Sequence, residues 1–126
     1  MKVIFDSSFL MAVAERPTTW FEDIAEKTGK PEPIVLECVL TELRRLASGQ
    51  GRKAKTARVA LEIAGGFFCA PSGEAGPDQE IVSAALSMKA AVATTDTDLS
   101  SSLLALNIQV FSLRSGRATL VRNRIK

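Results

Sequence analysis

The sequence predicts an α/β domain built on a mainly parallel sheet, and three observations lead to that prediction. Short apolar runs recur along the chain, helix-forming segments separate them, and an acidic residue follows several of the runs. A short apolar run without alternation is typical of a strand buried on both faces, as in a parallel sheet. Strands that alternate with helices at this spacing favour parallel βαβ connections. Because 126 residues support one full core but not two, we expect residues 1–126 to form a single domain.

The start of the chain contains the first predicted strand and two helices. Val3–Phe5 is the strand, and a short helix over residues 9–14 ends ahead of a proline, which disfavours helix at the residue before it. Thr19 and Glu22 have the spacing of a capping box, so Thr19 is the expected N-cap of the second helix. Gly29 is suited to end that helix.

A connector with two prolines, residues 30–33, leads into the second strand at residues 34–36. A helix over residues 39–47 follows, and a second, alanine-rich helix covers residues 55–64. Between these helices, the glycines and basic side chains of residues 49–53 predict the most mobile loop of the chain.

The remaining elements continue the same alternation of strand and helix. In chain order they are a buried strand at 67–70, a loop at 71–77, a helix that begins at Asp78, a strand at 91–94, a helix through Leu103 and Leu104, a strand at 108–111, a turn at 113–117 and a short extra strand at 118–121. The last five residues are a basic tail.

Composition excludes several kinds of protein. With 46% hydrophobic and 24% charged residues, the chain resembles ordinary soluble proteins. No apolar run approaches the ~20 residues that cross a bilayer, and the N-terminus lacks a signal-peptide pattern, so we expect a cytoplasmic protein without membrane contact. The absence of histidine excludes a Cys/His zinc site and a histidine general base. Cys38 and Cys69 are expected to be free, buried thiols.

Basic residues are concentrated in two segments, although the net charge is only +2. No acid interrupts the basic side chains between Glu42 and Glu62, and none interrupts those after Asp98. The two sets are Arg44, Arg45, Arg52, Lys53, Lys55 and Arg58, and Arg114, Arg117, Arg122, Arg124 and Lys126. Each set can be a solvated surface, but together they suit the binding of a polyanion.

Acidic residues occupy corresponding places after the predicted strands. Asp6 follows the first strand, Glu42 lies on the helix after the second, Asp78 opens the helix after the third, and Asp96 and Asp98 follow the fourth. Because parallel strands end at the same edge of a sheet, these side chains can converge on one pocket there.

Most of these acids also have a structural explanation. Asp6, Asp78 and Asp98 stand at predicted helix starts and can serve as N-caps. Glu42 can pair with the arginine three residues later. Asp96 has the fewest structural explanations. A residue can cap a helix and bind an ion at once, so the two interpretations are compatible.

Several carboxylates in one pocket repel one another, so a cation or bound protons must neutralise them. Oxygen ligands without histidine or cysteine select hard ions such as Mg²⁺ or Mn²⁺. Such ions activate water and stabilise charge on a phosphoryl oxygen. An acidic pocket beside basic segments therefore suits the hydrolysis of a nucleic-acid phosphodiester.

Four segments, in this order, carry a family resemblance. They are Val3-Ile4-Phe5-Asp6-Ser7-Ser8-Phe9-Leu10, Thr41-Glu42-Leu43, Asp78-Gln79-Glu80-Ile81-Val82-Ser83-Ala84-Ala85, and Val92-Ala93-Thr94-Thr95-Asp96-Thr97-Asp98-Leu99. With these segments the chain resembles a PIN domain, the PilT N-terminus nuclease family. The resemblance implies a three-layer α/β/α sandwich with a mainly parallel central sheet, and a Mg²⁺- or Mn²⁺-dependent ribonuclease, a hydrolase.

The resemblance also implies roles for individual residues. Asp6, Glu42, Asp78 and Asp96 would be the catalytic, metal-binding acids, with Asp98 as an accessory metal ligand and Ser7 and Thr94 as supporting hydroxyls. Ser8 and Thr95 stand where the family often has asparagine, which leaves the hydrogen bonding around the acids open. Apart from the resemblance, the two basic segments supply the residues expected to bind RNA: Arg52, Lys53, Lys55, Arg114 and Arg117.

Two branches of the family remain open. One is the VapC-type toxin, a homodimer inhibited by a small antitoxin protein, for which Trp20 and Phe21 would supply apolar interface. The other resembles rRNA-processing nucleases, and the glycine- and lysine-rich stretch after Glu42 together with Phe111–Arg114 favours it. The alternative function is a non-catalytic RNA- or protein-binding module that retains the fold.

Overall fold

One mixed sheet organises the computed structural model, which describes residues 1–122. Its strands are β1 (Lys2–Phe5), β2 (Glu32–Leu36), β3 (Phe68–Ala70), β4 (Ala91–Ala93), β5 (Val110–Arg114) and β6 (Arg117–Leu120). The strand order is β3-β2-β1-β4-β5-β6, and all neighbours are parallel except the antiparallel β5–β6 pair. This is the mainly parallel sheet that the apolar runs predict.

Within residues 1–122, six helices connect and cover these strands. They are α1 (Ser7–Glu15), α2 (Trp20–Thr28), α3 (Glu37–Ala47), α4 (Arg52–Ala64), α5 (Pro77–Met88) and α6 (Thr97–Ala105). α4 packs on α1 and α3, and α2 packs on β6. α5 packs on the central strands and on α3, whereas α6 packs on β5. The three-layer α/β/α architecture is confirmed.

The core lies on both faces of the two central strands, β1 and β4. Val3, Ile4 and Phe5 have no exposed surface, so β1 is covered on both sides as its unbroken apolar run predicts. The Phe5 ring lies 5.0 Å from the rings of both Trp20 and Phe67, measured between centroids. Trp20 therefore belongs to the half-buried margin of the core.

β2 begins at Glu32, two residues earlier than expected, and contains Pro33. Proline lacks a backbone N–H and fits a strand only where no ladder bond is required. The pairing of β2 with β3 begins at Ile34, so Pro33 has no partner on β3. The expectation that residues 30–33 form a connector is wrong for its last two residues.

β3 is an edge strand, not the buried strand that its apolar sequence suggests. Phe68 is 64% exposed and Cys69 is exposed, while Ala70 is buried. The expectation of a buried thiol is therefore wrong for Cys69, and Cys38 is only half-buried. As the edge strand, β3 has a neighbouring strand on one side only, which leaves its other side open to solvent.

The connection between α3 and α4 is shorter than residues 49–53, because α4 already begins at Arg52. The Arg58 side chain donates to the carbonyl oxygens of Ala47 and Gly49, at 3.2 and 3.1 Å. These two bonds tie the glycine-rich connection to the middle of α4.

β5 extends to Arg114, so the expected turn at 113–117 contracts to Ser115 and Gly116. Both residues have positive φ, 53° and 79°, which is the backbone of a tight hairpin turn whose twist matches the two strands. The predicted extra strand is confirmed as β6, one residue earlier than expected. Apart from the exposed Arg122, the predicted basic tail lies outside the described residues. In residues 1–122 no helix is long and apolar enough to cross a membrane.

Candidate active site

The strand order reverses between β1 and β4, the two central strands. From β1 the chain continues to β2 on one side of this strand pair, and from β4 it continues to β5 on the other side. Asp6 follows β1 and Asp96 comes three residues after β4, at the edge where the parallel strands end (the carboxyl edge). In open α/β sheets, ligands bind at this kind of switch point.

Asp6 is 5% exposed and is held by three hydrogen-bond donors. It accepts from the Ser7 backbone N–H at 2.9 Å, from the Ser8 hydroxyl at 2.7 Å and from the Thr94 hydroxyl at 2.8 Å. It is also the N-cap residue of α1, one of the structural explanations that the sequence offers. Capping and strand pairing together hold Asp6 in one position.

Ser8 occupies the position where the family often has asparagine. Besides its bond to Asp6, its oxygen accepts from the Thr95 backbone N–H at 3.0 Å and lies 3.1 Å from the Thr94 hydroxyl. A serine at this position therefore still links the end of β1 to the end of β4.

Asp96 caps α6 and accepts from the backbone N–H groups of Asp98 and Leu99, at 2.9 and 3.1 Å. Its own N–H donates to the Thr94 hydroxyl at 3.0 Å. The expected cap at Asp98 is wrong, because α6 begins at Thr97 and Asp98 lies in the first turn.

Asp78 also lies inside a first turn, that of α5. The N-cap position is Gly76, and proline occupies the first helical residue, where its missing N–H has no cost. The expected cap at Asp78 is therefore wrong, and Asp78 as a residue is exposed.

Glu42 lies in the second turn of α3 and is half-buried. It accepts a hydrogen bond from the Ser7 hydroxyl at 3.1 Å, so a supporting hydroxyl from α1 contacts an acid from α3. Among residues 1–122, the ion pairs are the N-terminal amine with Glu32 and Arg117 with Asp23, so the proposed pairing of Glu42 with Arg45 does not form there.

The four acids named as metal ligands line one depression of about 420 Å³ at the carboxyl edge. Its lining consists of Asp6, Ser7, Ser8, Glu42, Ala75, Gly76, Pro77, Asp78, Gln79 and Asp96. Asp98 lies outside it, in an adjoining depression of about 400 Å³ that shares Asp78 and Gln79. We call the first depression the acidic pocket.

The acidic pocket carries uncompensated negative charge. Burial raises the pKa of Asp78, and the charges of Asp6, Asp96, Glu42 and Asp98 raise it further. Among residues 1–122, no lysine or arginine lines the pocket. Like charges that face one another without a counter-charge favour the uptake of a proton or a cation.

The donor set of the pocket fits a hard divalent cation, since it offers carboxylate and hydroxyl oxygens without nitrogen or sulfur. The side chains line the pocket without closing on a common point. In residues 1–122 no group of three or more His, Cys, Asp or Glu side chains is arranged to hold a metal ion.

The residues expected to bind RNA lie outside the acidic pocket. Arg52, Lys53 and Lys55 are exposed at the start of α4. Arg114 and Arg117 face each other across the β5–β6 pair and line a depression of about 490 Å³.

Arg117 has a partner that the sequence does not indicate. Its guanidinium lies 2.8 Å from Asp23, whose side chain is 6% exposed. Asp23 also accepts from the Ala118 backbone N–H and from the Thr19 hydroxyl, each at 2.8 Å. Thr19 is the N-cap residue of α2, as expected, but its side chain makes no cap hydrogen bond, so the expected capping box does not form.

The fold and the pocket define an α/β/α domain with an acidic site at the switch point of its sheet. Residues 3–116 match the family model described as a PIN like domain, and the chain belongs to that family. The resemblance carried by the four sequence segments is thereby confirmed.

Solved structures support the same assignment. The PIN domain endonuclease Utp24 superposes with a TM-score of 0.74 at 25% identity, over 99% of this chain and 96% of that chain. A domain of a functionally unknown protein from Methanocaldococcus jannaschii DSM 2661 gives 0.61 at 18% identity, over 99% and 96%. PAE2754 from Pyrobaculum aerophilum gives 0.53 at 17% identity, over 79% and 77%; these last two show the fold alone. A search of curated proteins found no match.

Proposed function

We propose that the protein is a metal-dependent endoribonuclease that hydrolyses RNA phosphodiester bonds at the acidic pocket. The observation that carries this proposal is the set of four carboxylates around one depression, which no basic residue of the described part of the chain lines. Membership of the PIN-like family and the similarity to an endonuclease over nearly the whole chain support it.

Asp6, Glu42, Asp78 and Asp96 would hold Mg²⁺ or Mn²⁺, and Asp98 would serve as an accessory acid from the adjoining depression. When bound, the ion supplies an activated water and neutralises charge on the phosphate. The chain itself supplies rigidity: strand ends and hydroxyls fix Asp6 and Asp96 before any ligand arrives. Ser7 and Thr94 act by orienting acids, since each donates a hydrogen bond to a pocket carboxylate.

The basic residues would bind the RNA backbone outside the pocket. Arg52, Lys53, Lys55 and Arg114 are exposed, and phosphate contacts of this kind position a nucleic acid without reading its sequence. Arg117 contributes less, because its guanidinium is already engaged by Asp23.

The glycine- and lysine-rich stretch after Glu42 and the Phe111–Arg114 segment favour an rRNA-processing-like role in the cytoplasm over a VapC-type toxin. In the toxin case a small antitoxin protein would bind the domain, and a homodimer would form through the apolar margin near Trp20. Co-purification with a small protein that inhibits cleavage would favour the toxin.

The test is cleavage of a structured RNA by purified protein with Mn²⁺, with Mg²⁺ or with EDTA. Asp78→Asn is the variant of choice, because Asp78 is exposed and caps no helix, whereas Asp6 and Asp96 do. Glu74→Gln is the matched control, since Glu74 is an exposed acid of the preceding loop that does not line the pocket. Metal-dependent cleavage that Asp78→Asn removes and Glu74→Gln retains is expected; cleavage that survives in EDTA contradicts the mechanism.

A second candidate is a non-catalytic RNA-binding module. The observation in its favour is that the pocket acids of the described residues are not gathered around a common point. This candidate predicts salt-sensitive RNA binding without stabilisation by Mn²⁺, whereas a metal site raises the apparent melting temperature as Mn²⁺ is added.

A further inference from the structure

The loop between β3 and α5, residues 71–76, contacts α3 and α5, the two helices that carry the pocket acids Glu42 and Asp78. Glu42 projects from α3 and Asp78 from α5, and the loop residues Ala75 and Gly76 line the pocket between them. We call this segment the β3–α5 loop.

One end of the loop is bonded to α3. This helix follows β2 without a turn, and its N-cap, Leu36, has no side-chain oxygen to accept from the first-turn N–H groups. The Ser72 hydroxyl oxygen accepts from the Cys38 backbone N–H at 2.9 Å. A residue 34 positions away thus does what an N-cap normally does locally.

The other end of the loop is bonded to α5 through Glu80. The two carboxylate oxygens of Glu80 accept from the backbone N–H groups of Gly73 and Ala75, at 2.8 and 3.1 Å. A Cβ atom at Gly73 would lie 3.1 Å from Glu80 Oε2, so the loop backbone lies close against this carboxylate. Glu80 is a half-buried acid that does not line the acidic pocket.

We propose that Ser72 and Glu80 are positioning residues, which hold Glu42 and Asp78 at a fixed separation across the pocket. Neighbouring strands fix Asp6 and Asp96, but Glu42 and Asp78 lie on helices from different parts of the chain, which the loop joins. The inference rests on the proposed function, since it assigns the loop a role in ion binding. Groups that orient metal ligands strongly affect metal affinity.

The first experiment measures amide hydrogen exchange by NMR in the metal-free protein. Glu80→Ala removes both acceptors for the loop, and Glu74→Gln alters an exposed loop acid beside the contact. If the loop joins the helices, Glu80→Ala accelerates exchange not only at Gly73 and Ala75 but also at Cys38, across the loop. Glu74→Gln leaves all three amides unchanged.

The second experiment measures Mn²⁺ affinity from the EPR signal of the free ion, so it requires no activity. We expect Glu80→Ala to weaken Mn²⁺ binding about tenfold, the lower end of the range for groups that orient metal ligands. Glu80→Gln keeps one acceptor oxygen and should recover part of the affinity, and Ser72→Ala should weaken it in the same direction. Melting temperatures of the metal-free variants separate this effect from unfolding.

Unchanged exchange at Cys38 in Glu80→Ala would overturn the inference, because the loop would then not couple the helices. Faster exchange with unchanged Mn²⁺ affinity would also overturn it, since the coupling would have no effect on the site. If the wild type binds no Mn²⁺, the proposed function fails, and the exchange experiment alone decides whether the loop joins α3 to α5.

Discussion

Replacement of Asp23 by alanine should destabilise the protein by about 2 kcal/mol, mainly because the Ala118 amide loses its acceptor. That N–H belongs to a buried residue and donates to Asp23 at 2.8 Å. The Thr19 hydroxyl and the Arg117 guanidinium also lose a partner, but both residues are exposed and water replaces it. Two depressions of about 520 and 490 Å³ border Asp23, and water from them moderates the loss.

Urea unfolding at pH 7 measures this loss, with Glu22→Gln as the control because Glu22 is an exposed acid of the same helix turn. Asp23→Asn keeps one acceptor oxygen and should cost about half as much, roughly 1 kcal/mol. A loss for Asp23→Ala that is no larger than that of the control would refute the reasoning.

The pH dependence gives a second check on Asp23. Burial alone would raise the pKa of Asp23, but hydrogen bonds from Thr19, Arg117 and Ala118, with the Arg117 charge, lower it overall. A carboxyl whose folded pKa is lowered stabilises the protein fully above its unfolded pKa of about 3.9, and this contribution disappears as pH falls through the folded pKa. The difference between wild type and Asp23→Asn should therefore be constant near neutrality and shrink below about pH 4. A difference that does not begin to shrink below about pH 4 would contradict this account.

Three further predictions follow from the exposed groups. Burial and then the charges of the neighbouring acids raise the pKa of Asp78, so its own charge is unfavourable at neutral pH. Asp78→Asn should therefore stabilise the metal-free protein by at most about 1 kcal/mol in urea unfolding at pH 7, and not at pH 3; a loss of stability at pH 7 would contradict this prediction. Replacement of both Arg52 and Lys53 by alanine should reduce the steepness of log affinity against log salt concentration by about 1.4 for single-stranded RNA, the value for two lost phosphate contacts. An unchanged slope would show that these two residues do not contact the RNA. Cys69 is exposed and Cys38 half-buried, so a thiol reagent should modify Cys69 rapidly and Cys38 slowly. The rapid phase should disappear in Cys69→Ser, and a rapid phase that remains would contradict this prediction.

The parts of the fold that follow from the sequence are those fixed by local pattern. Val3–Phe5 forms a central strand that is buried on both faces, as its unbroken apolar run predicts. The position of Asp6 after that strand places it at the carboxyl edge. The order of the strands in the sheet does not follow from the pattern of apolar residues. Phe68 is exposed because that order places β3 at the edge of the sheet.

The helix caps show a different limit of the sequence. The sequence favours Asp98 as the cap of α6, but the helix begins at Thr97 and the cap is Asp96, which had the fewest structural explanations. Asp23 could not be assigned at all, because its partner Arg117 lies 94 residues further along the chain and no local signal connects the two. The same limit applies to Ser72, which bonds to α3 from a distant loop.

The bond between the Asp6 carboxylate and the Thr94 hydroxyl joins residues 88 positions apart and has a consequence for biosynthesis. β1 is made first, yet it lies in the middle of the sheet and needs β2 and β4 on its two sides. A ribosome-bound chain that has not yet released β4 lacks Asp96 and the hydroxyl that orients Asp6. Contacts between such distant residues form late in folding. If the proposed function holds, the nascent chain would stay inactive until Asp96 has emerged, since the acidic pocket is complete only then.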